Sequence, residues 1–297
     1  KDSSTTERMN WFDNNPPLGG LGKIKLAEAY LEQGRVSDVE KLIKEAWINA
    51  EIRKNDLNYY RAKFKKFLTT EDHLKRADYL AWERKYWDLK RMLKYLPKDE
   101  RALYNARQIL MSNSYGVDTA ISKVPLHLKK DPGLEFDRLR WRNRRGRLEG
   151  SLEILYKNAN KTERQMIRPD LWWEQRKSVA RSLIYKKRYK TAYKISSEHS
   201  LSSGPSFAEA EWLAGWIALS FLNSPEYAIN HFENFYNNVG YPISLARGAY
   251  WLGTAYKELG NKETAKKYFT EGSKFPMTYY GQLSFNEIKP GENFELN

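Results

Sequence analysis

The stretch Phe207-Ala208-Glu209-Ala210-Glu211-Trp212-Leu213-Ala214-Gly215-Trp216-Ile217-Ala218-Leu219 decides the fold. It is apolar at helical spacing and alternates small residues with large aromatic ones. After a Ser224-Pro225 break come Ala228 and Phe232, again at helical spacing. Beyond Pro242 the wording returns as Ala246, Ala249, Tyr250, Trp251, Leu252, Gly253 and Tyr256, then a Gly260-Asn261 turn, Ala265 and Phe269. Small residues let two helix backbones approach and rings fill the space beside the crossing, so two antiparallel helical hairpins are expected here. A single hairpin would leave an apolar face in water, and stacking on further hairpins removes it.

Working outward, weaker copies precede this stretch. Tyr30, Gly34, Val39 and Ile43 repeat the spacing of Tyr256, Gly260, Ala265 and Phe269, with Ala27 one position out from Gly253. Thr69-Thr70-Glu71-Asp72 offers a helix N-cap followed by acids in the first turn. Asp131-Pro132-Gly133 opens a basic helix, Leu134 to Arg145, closed by Gly146-Arg147 and followed by Leu148 to Tyr156. Asp170 to Tyr185 and Tyr189 to Ser197 form another pair. Ala192, Ala228 and Ala265 lie 36 and 37 residues apart, longer than the 34 of a strict tetratricopeptide repeat. No segment alternates with period two. The fold expected is all-α, a ring- or horseshoe-shaped superhelix of stacked, tetratricopeptide-like hairpins over 23–286, with an extended lead-in at 1–22 and a tail or linker at 287–297.

The 297 residues carry 51 Lys and Arg against 37 Asp and Glu, a net charge of +14, which suits an anionic partner: nucleic acid, a lipid surface or an acidic cell-wall polymer. Interleaved charges on solvated helices fit the same numbers. The absence of cysteine excludes a disulfide scaffold, a thiolate nucleophile and a cysteine zinc site. There is no apolar run of transmembrane length. The chain begins with Lys1 and shows no signal core, so a removed leader or a trimmed piece of a longer protein is expected.

Chemistry is sparse. His73, His127, His199 and His231 lack the i, i+4 partner of a helical metal site and read as surface or inter-helix residues. Phosphate loops, dinucleotide fingerprints and nucleophile elbows are missing, and no cofactor is implied. Glu209 and Glu211 are two apart on one helix, so they face different ways and read as first-turn acids, not a catalytic pair. The densest basic cluster, Arg138, Arg140, Arg142, Arg144, Arg145 and Arg147, surrounds Trp141. It fits either an anionic groove with an aromatic platform or a repeat helix whose Leu139 and Trp141 fill the core while its arginines pair with Asp137 and Glu149. Trp212, Trp216 and Trp251 invite a carbohydrate platform, but their spacing among small residues fits core filling better.

In order, Asp131-Pro132-Gly133-Leu134, Arg140-Trp141-Arg142-x-Arg144-Arg145-Gly146-Arg147, Trp172-Trp173-Glu174-Gln175-Arg176, Phe207 to Phe221, Pro242 to Gly253 and Tyr279-Tyr280-Gly281-Gln282-Leu283 resemble the N-terminal superhelical region of soluble lytic murein transglycosylases. Glu45-Ala46-Trp47 and Leu68 to His73 fit it too. The resemblance implies a periplasmic protein whose superhelix precedes a lysozyme-like domain cleaving the MurNAc-GlcNAc bond to a 1,6-anhydro end. The family's catalytic glutamate precedes serine near Gly-Leu-Met-Gln; neither pattern occurs here, so no catalytic residue is carried over. The expected partners are murein glycan strands, stem peptides and a C-terminal catalytic domain. Arg140, Trp141, Arg142, Arg144 and Arg145 are the candidate substrate contacts, and Tyr279, Tyr280 and Gln282 the candidate docking residues for that domain. A protein-binding repeat scaffold and a basic RNA-binding repeat protein are the alternatives.

Overall fold

The computed structural model describes residues 4–112, 115–159 and 161–292, and among them the regular structure is helical throughout. The chain divides into two compact units, 1–138 and 139–297. The first holds α1 (Thr5–Asn14), α2 (Gly20–Glu32), α3 (Val36–Asn49), α4 (Lys54–Lys63), α5 (Thr70–Trp82), α6 (Tyr86–Met92), α7 (Lys98–Leu110) and α8 (Val117–Ser122). The division falls within α9 (Pro132–Arg144). The second unit continues with α10 (Leu148–Lys157), α11 (Glu163–Met166), α12 (Pro169–Tyr185), α13 (Tyr189–Ser197), α14 (Gly204–Leu222), α15 (Pro225–Asn237), α16 (Pro242–Glu258), α17 (Lys262–Ser273) and α18 (Tyr279–Ile288).

The hairpin turns share one backbone solution. At Gly34, Arg84, Gly146, Lys187 and Gly260 the chain takes a left-handed φ, between 58° and 86°. The next N–H then donates to the carbonyl five residues back: Arg35 to Tyr30, Lys85 to Leu80, Arg147 to Arg142, Arg188 to Leu183 and Asn261 to Tyr256, each at 2.9 Å. The left-handed residue's own N–H bonds the carbonyl three back, as Gly260 does to Lys257 at 3.0 Å. This double bond is the Schellman closure, which satisfies the last carbonyls of the first helix and reverses the chain. The α14–α15 turn differs, using left-handed Asn223 and Pro225 in the first turn of α15.

Three of the five closures have glycine where a side chain is strained. Lys187, exposed and at φ 58°, bears that strain without recompense, so Lys187→Gly is expected to stabilise the 139–297 unit by about 1 kcal/mol, seen as a raised thermal midpoint. Gly260→Val should lower it by a comparable or larger amount.

Packing follows the small-with-large rule. Ala192, Ala228 and Ala265, the 36- and 37-residue series, are all buried. A Cβ on Gly215 would lie 2.7 Å from the Phe232 ring and one on Gly253 2.7 Å from Phe269, so each glycine seats the ring of its partner helix. In the first unit Thr69 caps α5 as its sequence predicts: its hydroxyl accepts from Asp72 N–H, and the Asp72 carboxylate accepts from Thr69 N–H at 2.8 Å.

One expectation needs correction. The 1–22 lead-in is not extended: Ser4 and Glu7 form a capping box, and Met9 and Phe12 of α1 bury against Leu26 and Ala29. The prolines and glycines act only from Pro16 on, and the irregular stretch is 15–19. Helices run from Gly20 to Ile288, across both compact units. Glu287 and Ile288 of the expected tail end α18, and 293–297 lie outside the described residues.

Candidate functional site

Helix α14 is apolar around nearly its whole circumference, which places it centrally in the second unit, packed on α13 and α15. Trp212 and Trp216, one turn apart, are each half-buried and stack with ring centroids at 5.9 Å and planes 7° apart. From α16, the Arg247 guanidinium lies over Trp212 at 3.5 Å, and Trp251 meets Trp212 edge-on at 6.1 Å. Tyr280 of α18 extends the row, 5.5 Å from Tyr250 and 6.0 Å from the Arg247 guanidinium. From α12, Trp173 Nε1 donates to Glu209 Oε2 at 2.9 Å and Lys177 Nζ to the same oxygen at 2.8 Å.

These residues sit on the first helices of successive hairpins and on α18, and the linked pairs are separated by 36 (Trp173–Glu209), 35 (Trp212–Arg247) and 33 (Arg247–Tyr280) residues. The helical repeat therefore aligns them into a shelf. The buried indole N–H groups of Trp212 and Trp251 and Nε of Arg247 find no acceptor among the described residues. Burial pulls the Arg247 guanidinium below its ordinary pKa, with Tyr280 opposing. Burial pushes the Glu209 carboxyl up, but Lys177 and Trp173 outweigh it and hold the group below the usual range. The Trp212 ring is thus covered by Trp216 and Arg247, and what the row leaves to solvent is the half-exposed parts of its rings and guanidinium.

Beneath the shelf the buried Glu211 carboxylate bridges two histidines, His199 Nε2 at 3.1 Å and His231 Nδ1 at 2.6 Å, and Tyr193 Oη meets His231 Nε2 at 3.0 Å. Leu201 N–H donates to His199 Nδ1 at 3.0 Å, so the ring proton of neutral His199 sits on Nε2, facing Glu211. Among the described residues no three His, Asp or Glu side chains converge to hold a metal ion, and no helix is long and apolar enough to cross a membrane.

A scan against protein-family models and a search of curated proteins both find no match to this chain.

The sequence candidates fall in several places. Trp141 is buried, with the Arg147 guanidinium 4.6 Å and that of Arg145 5.6 Å from its ring, so it offers no open platform. Arg142 donates to the Gly150 carbonyl and to Glu153 Oε2, tying α9 to α10, while Arg140 is half-buried and Arg144 exposed. Asp137 accepts from Arg107, and Glu149 accepts from Arg188. The cluster thus divides between structural pairing and a solvated edge. Tyr279 and Gln282 are exposed, with Gln282 donating to the Pro276 carbonyl at 3.1 Å; Tyr280 belongs to the shelf. Gly281 is required by space, since a Cβ there would meet the Phe275 carbonyl.

Glu209 and Glu211 are not first-turn acids. Helix α14 begins at Gly204, five residues before Glu209, and both carboxylates serve inter-helix contacts. His199 and His231 are inter-helix residues as expected, but their convergence on Glu211 was not visible. Nor was Arg247, although its position one turn before Trp251 and 35 residues after Trp212 is a signal the repeat contains.

Proposed function

We propose that this chain is the α-superhelical region of a peptidoglycan lytic transglycosylase, and that it binds and orients murein strands for a lysozyme-like domain of the same protein, in the periplasm. The ordered motifs from Asp131 to Leu283 support the family. The observation that carries the binding role is the half-exposed Trp212–Trp216 pair with Arg247 against it: the parts of the indoles left in solvent can pack on sugar C–H groups, and a guanidinium there serves the carboxylates of stem peptides. The +14 net charge draws an acidic polymer toward such a surface, and the attraction weakens with salt.

The test is retention of the chain on purified sacculi across ionic strength, beside an RNA titration. Arg247→Ala, with an unchanged thermal midpoint as the check on folding, is expected to weaken sacculus binding about fivefold to thirtyfold, the range of a cation–π contact with partial desolvation. Tight RNA binding without sacculus retention would favour the nucleic-acid reading. Because this sequence contains neither Glu-Ser nor Gly-Leu-Met-Gln, it should release no anhydro-muropeptides by itself.

A further inference from the structure

A groove of about 890 Å³ in the first unit runs between the start of α2, the end of α3 and the α5–α6 hairpin. Its volume is that of a small-molecule site, and no step of the reading above uses it. Four cations line it, Arg53, Arg76, Lys85 and Arg91, against two carboxylates, Glu51 and Asp88, so the balance is 4 − 2 = +2. Both carboxylates are committed: Glu51 accepts from Lys85 at 3.0 Å and Asp88 from Arg91. Arg53 is exposed and, like Arg76, forms no ion pair among the described residues.

Arg76 is the unusual member. It is 2% exposed, its two terminal nitrogens donate to the carbonyls of Trp47 and Ala50 at the end of α3, and its Nε has no partner. A guanidinium held this deep with its nearest counter-charge engaged elsewhere is costly unless something anionic completes it. Burial lowers its pKa to about 10, with Asp88 opposing. The N-terminus of the 13-residue α2 supplies the opposite wall through Gly19, Gly20 and Leu21, and no side chain caps it. Leu80 and Ile52 give an apolar floor.

We propose that this groove binds a dianionic oxygen ligand, a phosphate monoester or a paired carboxylate, held by Arg53 and Arg76 and by the start of α2. Two uncompensated positive charges match two negative ones, and forked guanidinium donors match the oxygens of either group.

The full chain, labelled for amide NMR, is titrated with inorganic phosphate, succinate, acetate and chloride at constant ionic strength. Saturable shifts at Gly19, Gly20 and Leu21 with phosphate or succinate, and none with chloride, are expected. Whichever of the two dianions binds more tightly assigns the source. Arg53→Glu, an exposed charge reversal, should weaken binding on the order of tenfold or more, whereas Arg188→Glu in the other unit should leave it unchanged. Shifts spread over the basic surface without saturation, chloride acting as well as phosphate, or equal losses in both variants would overturn the proposal. Arg76→Gln, checked for folding by its amide spectrum, gives the second reading: preserved affinity in a folded variant would also overturn it.

Discussion

Arg107→Ala is expected to lower the unfolding free energy of the 1–138 unit by about 3–5 kcal/mol, the range for breaking a buried ion pair from one side. Arg107 is fully buried, with Nε 2.8 Å from Asp137 Oδ2 and Nη1 2.8 Å from Asp78 Oδ1. Its guanidinium lies 5.1 Å from the Trp82 ring and 5.7 Å from that of Tyr104, whose hydroxyl also reaches Asp78 at 3.4 Å. Burial alone would pull its pKa down, but Asp137, Asp78 and Asp131 outweigh it and raise the value. One cation therefore joins α5, α7 and α9, and alanine removes it from beside the buried Asp137 and the half-exposed Asp78. Gly133 belongs to the same device, because a Cβ there would fall on the guanidinium. The Arg107 tip could swing away only by leaving both carboxylates, so Gly133→Ala should cost a substantial part of the same energy. Because the chain has two units, the measurement is hydrogen exchange resolved by segment: protection should fall in α5 and α7 and persist in α14 to α17. A loss below about 1 kcal/mol would mean the pair barely exceeds its desolvation cost.

The contrast between these residues and the hairpins explains what could be read in advance. A Schellman closure is local: glycine at Gly34, Gly146 and Gly260 announces it because only a few consecutive residues take part. The same closure at Arg84 and Lys187 carries no glycine, and there the turn had to be found from the flanking helical patterns. The capping boxes at Ser4 and Thr69 are local too, yet the one at Ser4 was overshadowed by the prolines that follow. Convergent side chains are another matter. Asp78 and Asp137 stand 29 and 30 residues from Arg107, and His199 and His231 stand 12 and 20 from Glu211. Such distances become contacts only through the way one hairpin stacks on the next, which periodicity does not specify. The shelf is intermediate: its tryptophans are plain in the sequence, but whether they fill the core or face outward depends on that stacking, and they do part of both, packing on the Phe232 and Leu252 cluster while remaining half-exposed.

Glu211 supplies the other large effect, and its sign follows from the direction of its shift. Burial pushes this carboxyl up, but hydrogen bonds from His199 and His231 outweigh burial and bring it from its ordinary 4.5 to about 2. A carboxyl depressed by folding contributes stability that is fully present above its unfolded value and is lost as pH falls through the folded one. The window is thus from about pH 4.5 down to about pH 2, and a shift of this size corresponds to about 3 kcal/mol. Glu211→Gln should remove that proton-linked component, so the urea midpoint of the second unit falls less steeply with acid than in the parent. It should also cost about 1–3 kcal/mol at neutral pH, because an amide has one acceptor oxygen and its NH₂ would face the N–H of one of the two rings. His199 is fixed by the bond from Leu201 N–H, but His231 can take its other tautomer, accepting from the amide at Nδ1 and donating from Nε2 to Tyr193 Oη, which keeps the cost toward the low end of that range. A double-mutant cycle between Glu211→Gln and His231→Ala isolates the pair, with an expected coupling of about 1–3 kcal/mol. Additive losses, together with an unchanged acid slope, would mean that the carboxylate and the rings are neighbours without being energetic partners, and the link from α13 through α14 to α15 would then rest on Phe232 and the alanine seams alone.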